Sequence, residues 1–343
     1  MLTIDIHSHF FPPSWPDFGR RFGTNDWPWL DRRHDGHAVV MIDNREFRKI
    51  DATTIDPVAR VEALERDGVD LQIVCATPVM FSYHRPVEQA LEVARFFNDA
   101  ALEFCAKGNK RLLPMCQVPL QDTDVACAEL DRCLSAGHVG VQIGNHVGPR
   151  DLDDDELVRF LRHCADAGAP VFVHPWDMLG QGRTSRFMMG WTVSMPTETH
   201  LSICTMILGG AFDRLPESLK ICFAHGGGSF PYLLGRLENA WQRQVLTRGA
   251  STRPPSQYVH RFCVDSAVFD PVCLRFLVEI MGEDRIMLGS DYPYPLGEGK
   301  VGHLIRNSSD LSEKSKKKLL ADNAMRFFGL KRGQDDSLAA VNE

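Results

Sequence analysis

No apolar run in the 343-residue sequence approaches the roughly 18 residues that a membrane-spanning helix needs. The leading segment MLTIDIHSHFFPP lacks the basic region and long apolar stretch of a signal peptide, so a cytoplasmic chain is expected. A large excess of one charge is missing too. The sequence has 38 Lys and Arg against 45 Asp and Glu, a formal charge of −7. That argues against a nucleic-acid partner or a membrane surface, while leaving room for a small basic pocket. The ten cysteines include no Cys-x-x-Cys pair, and most sit inside apolar segments, as Cys75 does in LQIVCAT and Cys222 in KICFAH. Small buried thiols are expected rather than a thiolate zinc site or a disulfide framework. There is no Gly-x-Gly-x-x-Gly turn after the first apolar run, no internal repeat and no low-complexity segment.

What the chain does have is alternation. Apolar residues make up 44% and charged residues 24%, enough to bury a full core. Eight short apolar runs, at 2–10, 69–78, 111–119, 138–144, 170–175, 219–227, 260–267 and 285–293, have the length and β-branched content of buried parallel strands. Helix-like stretches follow them, at 56–67, 84–107, 123–136, 153–168, 197–213, 229–247, 270–282 and 312–328. Asp56-Pro57, Asp153 and Asp270-Pro271 are candidate helix starts. Eight such pairs point to an α/β fold, a (β/α)8 TIM-type barrel in one domain over 1–330. A doubly wound sheet also alternates strand and helix, but eight repeats without the dinucleotide turn disfavour it. Residues 11–55, rich in Pro, Trp, Asp and Arg, interrupt the first connection and are expected as an insertion over the barrel mouth. Residues 331–343 read as a frayed polar tail.

The chemistry concentrates at strand ends. In Asp5-Ile6-His7-Ser8-His9 the two histidines are two residues apart, so on a regular strand they share a face while Ile4 and Ile6 take the other. The apolar pair then meets the helices and the imidazoles enter the barrel. Alone, the pair is better read as two satisfied polar histidines than as metal ligands. Three further strand ends change that: His174 closes PVFVHP, His225 closes KICFAHGGG, and Asp291 closes RIMLGSDYP. Barrel enzymes carry their functional groups there, and ionisable groups buried at four strand ends need a shared partner. His7, His9, His174 and Asp291 make a mixed nitrogen–oxygen set suited to one catalytic zinc ion with an open position. His225 is either a further ligand or a proton carrier. The fourth strand, HVGVQIG, offers no lysine to bridge a second metal, so one metal with His225 as general base is expected.

These residues lie within longer motifs: IDIHSHFFP, ATPVMFSY, VGVQIGNHVG, HPWDM, MPTET, ICFAHGGGSFPYLLGR, VDSAVFDP and LGSDYPYPLGE. Together they resemble the amidohydrolase superfamily and, within it, the aminocarboxymuconate semialdehyde decarboxylases, over about residues 3–330. The resemblance implies His7, His9, His174 and Asp291 as zinc ligands, His225 as the group that deprotonates the zinc water, and no organic cofactor. It implies a small dicarboxylate substrate held by Arg48 and Arg236, with Phe47, Met178, Trp191 and Tyr294 lining the pocket. It further implies nonoxidative decarboxylation in tryptophan or nitrobenzoate catabolism, by a homodimer in which Arg236 serves the neighbouring site. Arg236 lies eleven residues after His225 on a helix, and nine helical residues carry it roughly 13 Å from the strand end. The bland alternatives are a solvated loop charge for Arg48 and a surface pair with Glu238 for Arg236. Two departures from the family pattern stand out, Tyr294 in place of the common phenylalanine and the absence of a lysine shortly before Phe47-Arg48. A related decarboxylase of a hydroxybenzoate or hydroxymuconate, a metal-dependent hydrolase, or a scaffold barrel without catalysis are the competing readings.

Overall fold

Each of the eight apolar runs holds a parallel strand in the computed structural model, which describes residues 1–33, 38–180, 182–332 and 338–340. These are β1 (Ile4–Phe10), β2 (Leu71–Ala76), β3 (Leu112–Pro114), β4 (Val141–Gly144), β5 (Val171–His174), β6 (Ile221–Phe223), β7 (Cys263–Asp265) and β8 (Ile286–Met287). They pair in two parallel ladders, β1-β2-β3 and β4-β5-β6-β7-β8. Single bridges join the ladders, Cys116 to Val141 on one side and Ser8 to Tyr292 on the other. At the second seam Ile6 donates its N–H to Leu288 (2.9 Å) and Asp291 donates to the His7 carbonyl (3.0 Å). The ring closes as the expected (β/α)8 barrel.

The helices that follow are α1 (Pro57–Asp67), α2 (Val87–Ala106), α3 (Thr123–Ala136), α4 (Asp155–Asp166), α5 (Met195–Leu208), α6 (Phe230–Arg243) and α7 (Pro271–Met281), then a last helical run, α8, over residues 313–328. Aspartate caps start several of them. Asp56 accepts the Val58 N–H at 2.9 Å and Asp270 those of Val272 and Cys273 at 2.8 and 3.0 Å, satisfying donors that a helix leaves open. In α4 the cap is Asp154, one residue later than expected, accepting from Glu156 at 3.1 Å. Among the described residues no helix is long and apolar enough to cross a membrane.

The inner face departs from simple alternation. Ile4 and Ile6 do not take the face opposite the histidines. They pack with Leu71, Ile73, Phe172, Cys222 and Met287, the inward set, and the His7 ring lies edge-on to Phe172 at 4.9 Å. The register between β1 and β2 explains this: Asp5 faces Gln72 but Ser8 faces Val74, so β1 carries one residue more than its partner. A bulge of this kind resets the period, and His7 and His9 follow Ile4 and Ile6 onto the same face.

The first connection is not a plain loop. A short helix, Phe18–Phe22, precedes a three-stranded antiparallel sheet of Trp29–Arg32, Ala38–Ile42 and Arg45–Ile50. Its second hairpin turns through Asp43 and Asn44, both at positive φ (49° and 60°), as a two-residue turn matching strand twist requires. Residues 34–37 lie outside the described residues. The tail differs from expectation. Leu330–Arg332 pairs antiparallel with Leu338–Ala340, so part of the segment read as fraying is a ladder, while 333–337 and 341–343 lie outside the described residues.

Candidate metal centre and substrate cavity

His7 and His9 leave β1, His174 is the last residue of β5, and Asp291 follows β8. One ligand atom from each lies within 4.8 Å of all the others, and all four residues are buried. The Nε2 atoms of His7 and His9 are 3.1 Å apart, and Asp291 Oδ1 sits 3.4 and 3.3 Å from them. His174 turns its Nδ1 to the Pro175 carbonyl at 2.8 Å, which leaves Nε2 for the centre. His7 likewise turns Nδ1 to Asp265 Oδ2 at 2.7 Å. Two imidazoles are therefore fixed in the same sense, ring nitrogen outward to a protein acceptor and the other inward, as metal-binding histidines usually are.

Burial sets the charge state. It pushes His9 down to about 4 and, with the neighbouring histidines, holds His174 well below the usual imidazole value. Burial works against ionisation of Asp291 as well, but contacts with His225, His9 and His7 outweigh it and keep that carboxyl well below its ordinary value. His7 is pulled down by burial and pushed up further by Asp265 and Asp291, so its value is raised. Neutral imidazoles around an ionised carboxylate are the state that metal ligands need. Neither nitrogen of His225 has a hydrogen-bond partner among the described residues. Three inward imidazole nitrogens and a carboxylate oxygen crowd one point, with the Nε2 atoms of His7 and His9 only 3.1 Å apart, so this donor set fits a divalent cation.

His225 stands beside the four, its Nε2 3.7 Å from Asp291 Oδ2 and its ring 5.1–5.2 Å from those of His174 and His7. It lies just past β6 in a short turn, with φ at +57°, and Asp291 has φ at +58°. Left-handed backbone at a non-glycine residue costs on the order of 1–3 kcal/mol and concentrates at functional sites. The turn after His225 is glycine for a steric reason. A Cβ at Gly228, also at positive φ, would stand 2.2 Å from the Pro196 carbonyl oxygen.

A cavity of about 570 Å³ opens over this centre. Phe47, Arg48, Met178, Trp191 and Tyr294 all line it, with His9, His174 and Asp291 in its floor. The inserted sheet supplies Phe47 and Arg48, and the loop between β5 and α5 supplies Met178 and Trp191. The Arg48 guanidinium lies over the Tyr294 ring at 3.6 Å, and that ring stacks on His9 at 5.3 Å. The Tyr294 hydroxyl is engaged by Thr77, so the extra oxygen does not face the cavity unpartnered. No acceptor among the described residues takes a hydrogen bond from Arg48. Arg236 is elsewhere: it is exposed on α6, outside the cavity and unpaired among the described residues. Glu238 instead accepts from Gln242 (3.1 Å) and Ser256 (3.0 Å).

The sequence reading missed Asp265, although its own rule, an ionisable residue closing an apolar run, also describes CVD. It also missed Trp176, His84 and Arg85 in the cavity wall. Trp176 is held by a hydrogen bond to the His146 carbonyl (2.8 Å), and Arg85 by Asp26 (2.7 Å). No periodicity marks these wall residues, because they come from loops.

Residues 4–330 match the family model described as amidohydrolase, and the chain belongs to that family. Within it, the chain is 43% identical over 331 residues to the 2-amino-3-carboxymuconate-6-semialdehyde decarboxylase of Dictyostelium discoideum, covering 96% of this chain and 92% of that one. It is 32% identical to the enzyme of the same name from Caenorhabditis elegans, over 95% of this chain and 94% of that one. The 5-carboxyvanillate decarboxylase of Sphingomonas paucimobilis superposes with a TM-score of 0.80 at 21% identity, over 96% of this chain and 99% of that one. A dihydroxybenzoic acid decarboxylase from Polaromonas, solved with bound manganese and 2-nitroresorcinol, gives 0.76 at 23% identity, over 97% and 98%. The last two show the shared barrel.

Proposed function

We propose that the protein is a metal-dependent, nonoxidative carboxy-lyase that converts 2-amino-3-carboxymuconate 6-semialdehyde to 2-aminomuconate 6-semialdehyde. The observation that carries this is the convergence of His7, His9, His174 and Asp291 on one point beneath a cavity walled by Arg48, which has no ion-pair partner among the described residues. The 43% identity to a decarboxylase of that substrate, over nearly the whole chain, supports the choice of substrate. The four named residues would hold one divalent ion. Three imidazoles and one carboxylate favour zinc, which tolerates low coordination and binds nitrogen well. Such an ion lowers the pKa of a coordinated water toward about 7, making a nucleophile available at neutral pH.

The chain's own residues do the rest. Arg48 receives a substrate carboxylate on its planar fork, which suits bidentate pairing. Phe47, Trp191 and Met178 pack on the conjugated carbon skeleton and exclude water. His225 Nε2 is placed to accept the proton of the nucleophilic water as its hydroxyl adds to the carbon next to the carboxylated one, and to pass that proton to the carboxylated carbon; when carbon dioxide then leaves, its bonding pair restores the double bond and expels the hydroxyl. Arg85, the other arginine in the cavity wall, is held by Asp26, which leaves a second substrate carboxylate without a free arginine there. Arg236, exposed on α6 and unpaired among the described residues, suits a homodimer in which it reaches the neighbouring site.

The test uses purified protein with freshly generated substrate, following the loss of its near-ultraviolet absorbance and the release of carbon dioxide. The expected result is carbon dioxide in step with absorbance decay, abolished by chelation and restored by zinc. Ammonia release without carbon dioxide would favour a hydrolase or deaminase instead. If mixed Arg236→Ala and His225→Ala proteins recover no activity, the shared-site dimer is rejected.

A further inference from the structure

Asp265, at the end of β7, has no exposed surface, and neither the metal set nor the cavity accounts for it. Its two oxygens divide their work. Oδ2 lies 2.7 Å from His7 Nδ1. Oδ1 accepts the Gly226 N–H at 2.8 Å and the Ala267 N–H at 3.1 Å. Gly226 is the residue after His225, so one carboxylate touches both a metal-site histidine and the turn that carries the free one. β7 and β1 are separated by β8 in the ring, and the contact needs a gap there. Gly289 provides it: a Cβ at that position would stand 2.6 Å from the Asp265 Cβ and 2.9 Å from the His7 Cβ. The close approach is thus built into the backbone.

We propose that Asp265 is a positioning residue serving two groups, fixing His7 as the tautomer with its proton on Nδ1 and pinning the left-handed turn that aims His225. A neutral imidazole carries one N–H, and an anionic acceptor at Nδ1 holds it there. The lone pair is then at Nε2, facing His9, His174 and Asp291, and the ring cannot rotate without breaking a buried charge-assisted bond. The bond to Gly226 holds the 225–226 peptide, and with it the His225 side chain, against the relaxation that a strained φ invites. This assignment rests on the metal reading above, since a fixed tautomer matters only if Nε2 meets a cation.

The experiment measures zinc affinity by competition with a chromogenic chelator, for wild type, Asp265→Asn and Asp265→Ala, with the Tm of each chelated protein alongside. Asp213→Asn is the control. It removes a carboxylate that accepts the Tyr258 hydroxyl at 2.5 Å, without touching the site. Losing a partner behind a ligating histidine typically costs about 10–100-fold in affinity, so Asp265→Ala should fall by that factor. Asp265→Asn, which keeps shape but not charge, should fall between alanine and wild type. Asp213→Asn should lower Tm yet keep zinc affinity within about twofold. At saturating zinc the Asp265 variants should still lose kcat with little change in KM, because His225 is no longer held. Should alanine fail to fold, the asparagine variant carries the comparison. Wild-type zinc affinity in both Asp265 variants, or a loss matched by Asp213→Asn at equal Tm, overturns the assignment. A wild-type protein that takes up no zinc overturns the metal reading itself.

Discussion

Asp5 and His7 are two residues apart on β1, both fully buried, and their surroundings are satisfied in opposite ways. Asp5 faces outward into the layer between barrel and helices. It accepts from Ser290 Oγ (2.6 Å), Gln72 Nε2 (2.7 Å), the Ser290 N–H (3.0 Å) and the His7 N–H (3.2 Å). Gln72 in turn accepts from Arg60, which also donates to the His9 and Thr53 carbonyls at 2.6 Å each. On the inner side, neither nitrogen of His225 has a partner among the described residues, and the Nε2 atoms of His7 and His9 crowd one carboxylate. A polar layer whose bonds close within the protein is architecture. One whose lone pairs converge without closing is a binding site. The same strand carries both because the bulge between Asp5 and Ser8 changes sides between them.

Three changes would break or sharpen that contrast. The largest effect is expected at His225→Ala, which removes the unpaired group facing the centre but no metal-site residue. Its kcat should fall by about 10²–10⁴-fold, the usual worth of general acid–base catalysis, with metal content by mass spectrometry unchanged. Retained turnover would reject the proton-transfer role. Next comes Arg60→Met, which strips the cation from the closed layer and removes its hydrogen bonds to Gln72 Oε1 and two carbonyls. Urea unfolding should show a loss of about 3–5 kcal/mol, as for other broken buried charge networks, with zinc affinity changed much less than in Asp265→Ala. Equal losses of metal and stability would show that the two layers are one unit.

The smallest effect is expected at Glu129, a closed site remote from the centre, bonded to Asn98 (2.8 Å) and Arg132 (2.7 Å). Burial raises its pKa, but Arg132 and Asn98 outweigh that and hold it below the ordinary 4.5. A depressed carboxyl adds stability that is fully present above the unfolded-state value and is lost as pH falls through the folded one. Acid unfolding of Glu129→Gln should therefore be less steep below pH 4.5 than that of wild type, with activity at neutral pH unaffected.

Much of the site could be read directly from residue order. His7, His9, His174, His225 and Asp291 were legible because each ends an apolar run, and strand ends meet at one face of a barrel. Asp265 obeys the same rule but is followed by SAVFDP, which reads as the approach to the Asp270 helix cap. The positions of Phe47 and Arg48 were legible only through the family resemblance, because an antiparallel sheet folded over the barrel brings them to the cavity. The facing of Ile4 and Ile6 was misread, since a one-residue insertion in pairing register leaves no trace in the pattern of apolar residues.

The linear chain determined the elements, their alternation and the chemical types at strand ends, because hydrophobic period and residue chemistry are local properties. Tertiary structure alone decided the sidedness of β1, the contact of Asp265 with His7 past Gly289, and the placing of Arg48 over the Tyr294 ring while Thr77 engages the Tyr294 hydroxyl. Those depend on register and on approach between strands far apart in sequence. They are settled only when the ring closes and buried polar groups must find partners.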